Sequence, residues 1–175
     1  IQNMMAARVS DFYDLKGPAQ LIDTACSSSL VAIHNACSAL LKGEGDIAIS
    51  GGIEIHVNEK FHQGFYSAGV FATNGKTQVF DQSASGFVLG EAAGLVMLKR
   101  YEDAINDGDI IKAVIQGSAV NNDGRTMGIT VPSMEGQKRV IQSALNNAKL
   151  SAQDVSYLEA HGTGTLLGDP IEIQA

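Results

Sequence analysis

Leu21-Ile22-Asp23-Thr24-Ala25-Cys26-Ser27-Ser28-Ser29-Leu30 is the stretch on which the reading of this sequence turns. Gln20 to Ala25 is a short, mostly apolar strand candidate that runs straight into Cys26. Ser27 to Leu41 then carries helical apolar spacing and stops at Lys42-Gly43. The order strand, sharp turn, helix sets a thiol at a helix N-terminus, where unpaired backbone N–H groups and the positive end of the dipole favour a thiolate. Cys26 is therefore read as a nucleophile, and the alternative of a small core hydrophobe is kept for Cys37.

The same pattern recurs downstream. Val155 to Glu159 reads as a strand running into His161, within Tyr157-Leu158-Glu159-Ala160-His161, and Gly162-Thr163-Gly164-Thr165 follows. Those glycines permit close approach of a ligand, and the hydroxyls can bond one. Two related halves are expected, each presenting one reactive group at a strand end, where open α/β sheets place their sites. His34 is not the partner of Cys26, because eight residues along a helix is about 12 Å. Further strands are expected at Asp46–Ser50, Gly94–Lys99 and Lys112–Val120. Helices are expected at Tyr101–Asp107 and at Met134–Lys149, with Val140, Ile141, Leu145 and Ala148 on one face. Alternating strands and helices, with little in-out polarity along the strands, predict an α/β fold with a mostly parallel sheet covered on both faces. Asp169-Pro170-Ile171-Glu172 has the form of a helix start, with Asp169 as N-cap, Pro170 at N1 and Glu172 at N3.

Composition narrows the function. The 175 residues suit one sizeable core, and 18% charged residues is low against a typical figure of about 25%. Twelve Lys and Arg against nineteen Asp and Glu leave a net charge of −7 without a basic cluster, which disfavours nucleic acid. The uncharged run from Thr24 to Leu41 is too polar for a membrane span. No secretory signal is read at the start, and Ile1 in place of an initiator methionine suggests a piece of something longer. Cys26 and Cys37 on one helix would lie about 16 Å apart, so they are expected as free thiols in a reducing, cytoplasmic compartment.

Glu54, His56, Glu59 and His62 match no standard helical ligand spacing, and no metal is expected. Gly69 to Thr77 has one residue too many for a phosphate loop, and Leu167 stands where a dinucleotide fingerprint wants glycine. A cysteine followed by a histidine 135 positions later also suits a papain-like cysteine peptidase, but the Cys-Trp signature is absent and the chain has no tryptophan.

Asp23-Thr24-Ala25-Cys26-Ser27-Ser28-Ser29-Leu30 and Glu159-Ala160-His161-Gly162-Thr163-Gly164-Thr165 resemble the two signatures of β-ketoacyl synthases, specifically the ketosynthase domains of modular polyketide synthases. The likeness extends through Gly51-Gly52, Phe80-Asp81, Gly86-Phe87-Val88-Leu89-Gly90-Glu91, Gly117-Ser118-Ala119-Val120-Asn121 and Gly168-Asp169-Pro170-Ile171-Glu172. Small departures fall at Ala92 and at Thr126-Met127. The resemblance implies a thiolase-like αβαβα layered fold with two related halves, truncated at both ends. Residues 1–100 would hold most of the nucleophile-bearing half, and 101–175 the start of the histidine-bearing half.

It implies an acyltransferase that performs decarboxylative Claisen condensation in polyketide or fatty-acid-like elongation, or alternatively a non-elongating relative that only transfers acyl chains. Cys26 would carry the acyl chain, and His161 would stabilise the enolate of a malonyl-type extender. Thr163 and Thr165 would hold the pantetheine arm, while Asp169 and Glu172 would order the site, Glu172 by pairing with a lysine of a later motif. No cofactor would be bound by the chain itself, the substrates being carried on the phosphopantetheine of acyl carrier protein. Other synthase domains and a second copy in a homodimer would be the remaining partners. A second histidine and a glycine-rich oxyanion turn are expected beyond Ala175, so these 175 residues alone are expected to be inactive.

Overall fold

Helices form here where an apolar stripe meets a local stop or start signal, and the strands form where glycines let backbones approach. The computed structural model describes residues 4–175. Along the chain come α1 (Met4–Phe12), α2 (Ser28–Leu41), β1 (Ile47–Glu54), α3 (Glu59–Ser67), β2 (Ala92–Lys99), α4 (Tyr101–Asn106), α5 (Met134–Ala148) and α6 (Gly168–Gln174). They fall into two units. The first comprises the chain up to Glu54 together with Ala92–Val114, and the second Ile55–Glu91 with Ile115–Ala175.

In the first unit β1 and β2 pair antiparallel, from Ile47 opposite Lys99 to Glu54 opposite Ala92. Gly51-Gly52 lies inside β1, although turn chemistry suggests a strand end there. The reason is steric. A Cβ on Gly51 would sit 2.1 Å from the Gly94 carbonyl oxygen, and one on Gly52 would sit 2.9 Å from Ser29 Cβ on α2. The two glycines thus serve the neighbouring strand and the helix packed on it. Arg100 closes this unit: its guanidinium donates to the carbonyls of Leu40 (3.0 Å) and Gly45 (2.8 Å) and pairs with Asp46 and Asp103. It ties the end of α2 to the approach of β1 and the start of α4.

In the second unit Ser133 caps α5 by accepting the Gly136 N–H at 3.0 Å, and Lys149 ends it in the left-handed conformation. The segment 117–121 runs along this helix. A Cβ on Gly117 would fall 2.6 Å from the Ala148 nitrogen, Asn147 donates to the Ser118 carbonyl, and Asn121 donates to the Gly136 carbonyl.

Several expectations need correction. The sheet among the described residues is antiparallel, not parallel, because alternation of elements says nothing about the direction in which the chain returns. The segments 20–25, 112–120 and 155–159 make no multi-residue ladder among the described residues; 24 and 26 share only an isolated bridge. An apolar β-branched run becomes a strand only against a neighbour, and 117–121 instead bonds α5 through the Asn147 side chain and its own Asn121 side chain. Helices α1 and α3 add to the elements read from sequence; α3 is capped by Asn58, whose side chain accepts the Lys60 N–H at 3.1 Å.

Gly51→Ala is expected to lower stability by about 1–3 kcal/mol through overpacking, read as an earlier urea midpoint. Gly94→Ala, whose added Cβ meets nothing within 4 Å, should leave the midpoint unchanged.

Candidate active site

Cys26 lies exposed in the first unit, two residues before α2, whose N-cap position is taken by Ser27. The residue before it, Ala25, sits at φ +55°, a conformation an L side chain adopts at a cost of about 1–3 kcal/mol. A local polar network holds it there. Asp23 accepts the Ala25 N–H at 3.1 Å, and the Ser28 hydroxyl donates to the Ala25 carbonyl at 2.6 Å while accepting the Thr24 N–H at 2.9 Å. Ser27 donates to the Thr24 carbonyl and receives the Thr24 hydroxyl, each at 2.9 Å. The serines that follow the cysteine are thus partly explained: two of them bolt the elbow. Cys37 lies half-buried in α2, and burial pushes its thiol up from the ordinary value. His34 lies half-buried on the same helix.

The other five residues selected from sequence, His161, Thr163, Thr165, Asp169 and Glu172, are brought together in the second unit. Glu172 reaches back from α6 so that its two carboxylate oxygens accept the backbone N–H groups of His161 (2.6 Å) and Gly162 (2.8 Å). Asp169 is buried, 4% exposed, and accepts the N–H of Gly164 at 3.0 Å and of Phe80 at 2.7 Å. The hydroxyls of Thr163 and Thr165 lie 2.9 Å apart, and Thr165 Oγ accepts the Gly168 N–H at 3.0 Å. Gly162 and Gly164 have φ +53° and +68°, and a Cβ on Gly162 would meet Val79 Cγ1 at 2.4 Å. This turn requires glycine twice.

The helix-start reading of 169–172 is corrected by these contacts. Helix α6 begins at Gly168 with Leu167 in the N-cap position, so Asp169 is not the cap and Glu172 lies past the first turn. Both carboxylates serve amides outside α6. Asp81 is held below the ordinary carboxylate value by the hydroxyl and N–H of Ser83, and Asp154 by those of Ser151. Among the described residues no three of His, Cys, Asp or Glu converge as a metal site. His56 instead stacks on Phe61 at 4.9 Å. No helix of the described residues is long and apolar enough to cross a membrane.

The geometry is a thiol on a strained elbow in one unit and, in the other, a histidine on a carboxylate-held glycine-threonine turn. The family model of the beta-ketoacyl synthase N-terminal domain matches residues 1–104, and that of the C-terminal domain matches residues 112–175. The chain belongs to the β-ketoacyl synthase family. Over 173 residues it is 49% identical to a phenolphthiocerol/phthiocerol polyketide synthase polypeptide of Mycobacterium tuberculosis, a match that covers 99% of this chain and 9% of that protein. A different subunit of that synthase, from the same organism, is 47% identical, with 11% of its length covered. Among solved structures, an oxazolomycin ketosynthase domain of Streptomyces albus superposes with TM-score 0.97 and 41% identity, covering 99% of this chain and 30% of that one. The ketosynthase from module 6 of the bacillaene synthase of Bacillus subtilis superposes with TM-score 0.97 and 43% identity, covering 99% and 32%. The β-ketoacyl synthase chain therefore has the thiolase-like α/β fold and spans about a third of the solved ketosynthase chains.

Some of the geometry of this β-ketoacyl synthase chain was beyond sequence reading. Nothing in the sequence marks Ala25 or Phe80 as left-handed, since neither is glycine or asparagine. The amide partners of Asp169 and Glu172 likewise lie too far along the chain, at Phe80 and at His161, to be seen as motifs.

With Cys26 exposed and the Cys37 thiol pushed up, limited iodoacetamide treatment near neutral pH should label Cys26 first. Cys37 labelling should rise as pH increases and its proton is lost, and peptide mass mapping reads both. Asp169→Asn should cost about 1–3 kcal/mol, because an amide group cannot accept from two N–H donors with both its polar atoms; thermal unfolding reads that loss.

Proposed function

We propose that this chain is the core of a ketosynthase domain within a modular polyketide synthase, with residues 1–100 in its nucleophile-bearing half and 101–175 opening its histidine-bearing half. The observation that carries the reading is Cys26 on a left-handed elbow, inside a chain that matches ketosynthase domains at more than 40% identity over 99% of its length.

The chemistry follows from the residues. Cys26 Sγ attacks the carbonyl of an acyl thioester, the bond to the phosphopantetheine sulfur breaks, and the carrier thiol leaves. A malonyl-type extender on acyl carrier protein then loses carbon dioxide. Its enolate carbon attacks the Cys26 thioester, forming the carbon–carbon bond and releasing the Cys26 thiolate. His161 donates to the extender thioester oxygen as negative charge develops there, and a donor held in place beforehand serves that charge best. Glu172 holds the His161 backbone by two amides, and Asp169 holds Gly164, which is what such preorganisation requires. Thr163 and Thr165 line the approach of the pantetheine arm with hydroxyls. The partners are acyl carrier protein, the other domains of the synthase and a second ketosynthase copy, and the thiols are kept reduced in the cytoplasm.

In the intact synthase, incubation with an acyl thioester should add one acyl group at Cys26, seen by peptide mass spectrometry and absent from Cys26→Ala. An adduct on Cys37 instead would overturn the assignment. His161→Ala should still acylate Cys26 but lose roughly 10²-fold in condensation, the scale for one oxyanion donor. Acylation without any condensation in the unaltered protein would favour the non-elongating relative.

A further inference from the structure

Phe80 is one of four non-glycine residues at positive φ among the described residues, at +54°, and it is the one aromatic among them. A bulky side chain in that region is an outlier that its surroundings must impose, and the functional question is what they gain. Its N–H donates at 2.7 Å to Asp169, the same buried carboxylate that accepts the Gly164 N–H. The preceding residue, Val79, places Cγ1 2.4 Å from where a Cβ on Gly162 would lie, and the Phe80 ring edge stands 3.5 Å from that point. Gln78 backbone atoms lie 3.2 Å from the Cβ position of Gly164, and on the other side the Gly86 N–H donates to the Gly164 carbonyl at 2.9 Å. The segment 78–86 thus grips both glycines that flank Thr163, and the first of those glycines is the residue after His161.

We propose that Val79 and Phe80 are positioning residues for His161. The left-handed turn at Phe80 aims its amide at Asp169 while Val79 and the ring occupy the wall against Gly162, so the His161 backbone is fixed from below by Glu172 and from the side by this turn. Neither residue touches substrate in this scheme. A glycine or asparagine would take the same φ with less strain, but glycine would leave the Gly162 wall without its ring. The inference rests on the reading of His161 as the donor to the extender oxygen.

The test uses the intact synthase and reads two half-reactions separately: single-turnover acylation of Cys26, and condensation of the acylated protein with a malonyl carrier. Val79→Ala and Phe80→Gly should each slow condensation roughly tenfold or more, the scale of a small misplacement at a reacting group, with acylation unchanged. Gly162→Ala should also slow condensation, because its methyl collides with Val79. The double variant Val79→Ala/Gly162→Ala removes the colliding Cγ1, with Cγ2, from one wall as it adds a methyl to the other, and it should be faster than Gly162→Ala alone.

A merely structural role predicts that acylation and condensation fall together with the folded fraction, and that result would overturn the proposal. A double variant no faster than Gly162→Ala would overturn it too. His161→Ala, measured alongside, separates the two claims. If it condenses normally, the reading of His161 fails and this inference with it; if it loses condensation while Val79→Ala and Phe80→Gly keep it, only the inference fails.

Discussion

The buried carboxylate of Asp169 is the constraint on which the histidine-bearing site depends. A carboxylate with 4% of its surface exposed is costly unless its oxygens are satisfied, and each is met by one backbone N–H, from Gly164 and from Phe80. Those donors belong to segments more than eighty residues apart in sequence. Two turns distant along the chain are therefore referred to one point, and α6 supplies it from its first turn. Glu172, one turn further along the same helix, extends the arrangement to His161 and Gly162. A short helix thereby orders the turn that precedes it through four amide hydrogen bonds, three of them to the His161–Gly164 turn itself.

At Cys26 the means are different. The bonds that hold the elbow come from residues within five positions of one another, Asp23 to Ser28. The strained residue there is alanine, the smallest side chain that still carries a Cβ. Cys26 can thus be positioned by its own local sequence, while His161 requires tertiary support. The stretch around Cys26 carries Thr24 and Ser27 to Ser29 and no glycine, whereas the one after His161 alternates Gly162 and Gly164 with Thr163 and Thr165. Hydroxyls act on near neighbours, whereas glycines make room for partners arriving from elsewhere in the fold.

In the first unit close approach is again the governing requirement. Gly51 and Gly52 admit the neighbouring strand and α2, and Arg100 then satisfies two carbonyls near the end of that helix. One face of the two-stranded ladder carries Ile47, Ile49, Ile53, Leu95 and Met97, all exposed in this chain. Alternation along both strands puts them on the same side.

Residue type and spacing alone carried the local order. The free cysteine ahead of a helix, the histidine ahead of Gly-Thr-Gly-Thr, the limits of α2, α4 and α5 to within a residue, and the family were all legible. Each depends on residue type and on spacing within one element. The folded chain alone settled the direction in which β1 and β2 pair, the bonding of 117–121 to α5 in place of a ladder, and the amides that Asp169 and Glu172 bind. It also decided the left-handed backbone at Phe80. The physical reason is common to these cases: a hydrogen-bonding group takes the partner that folding brings to it, and a carboxylate that could cap its own helix binds a distant amide when burial makes that amide its nearest donor.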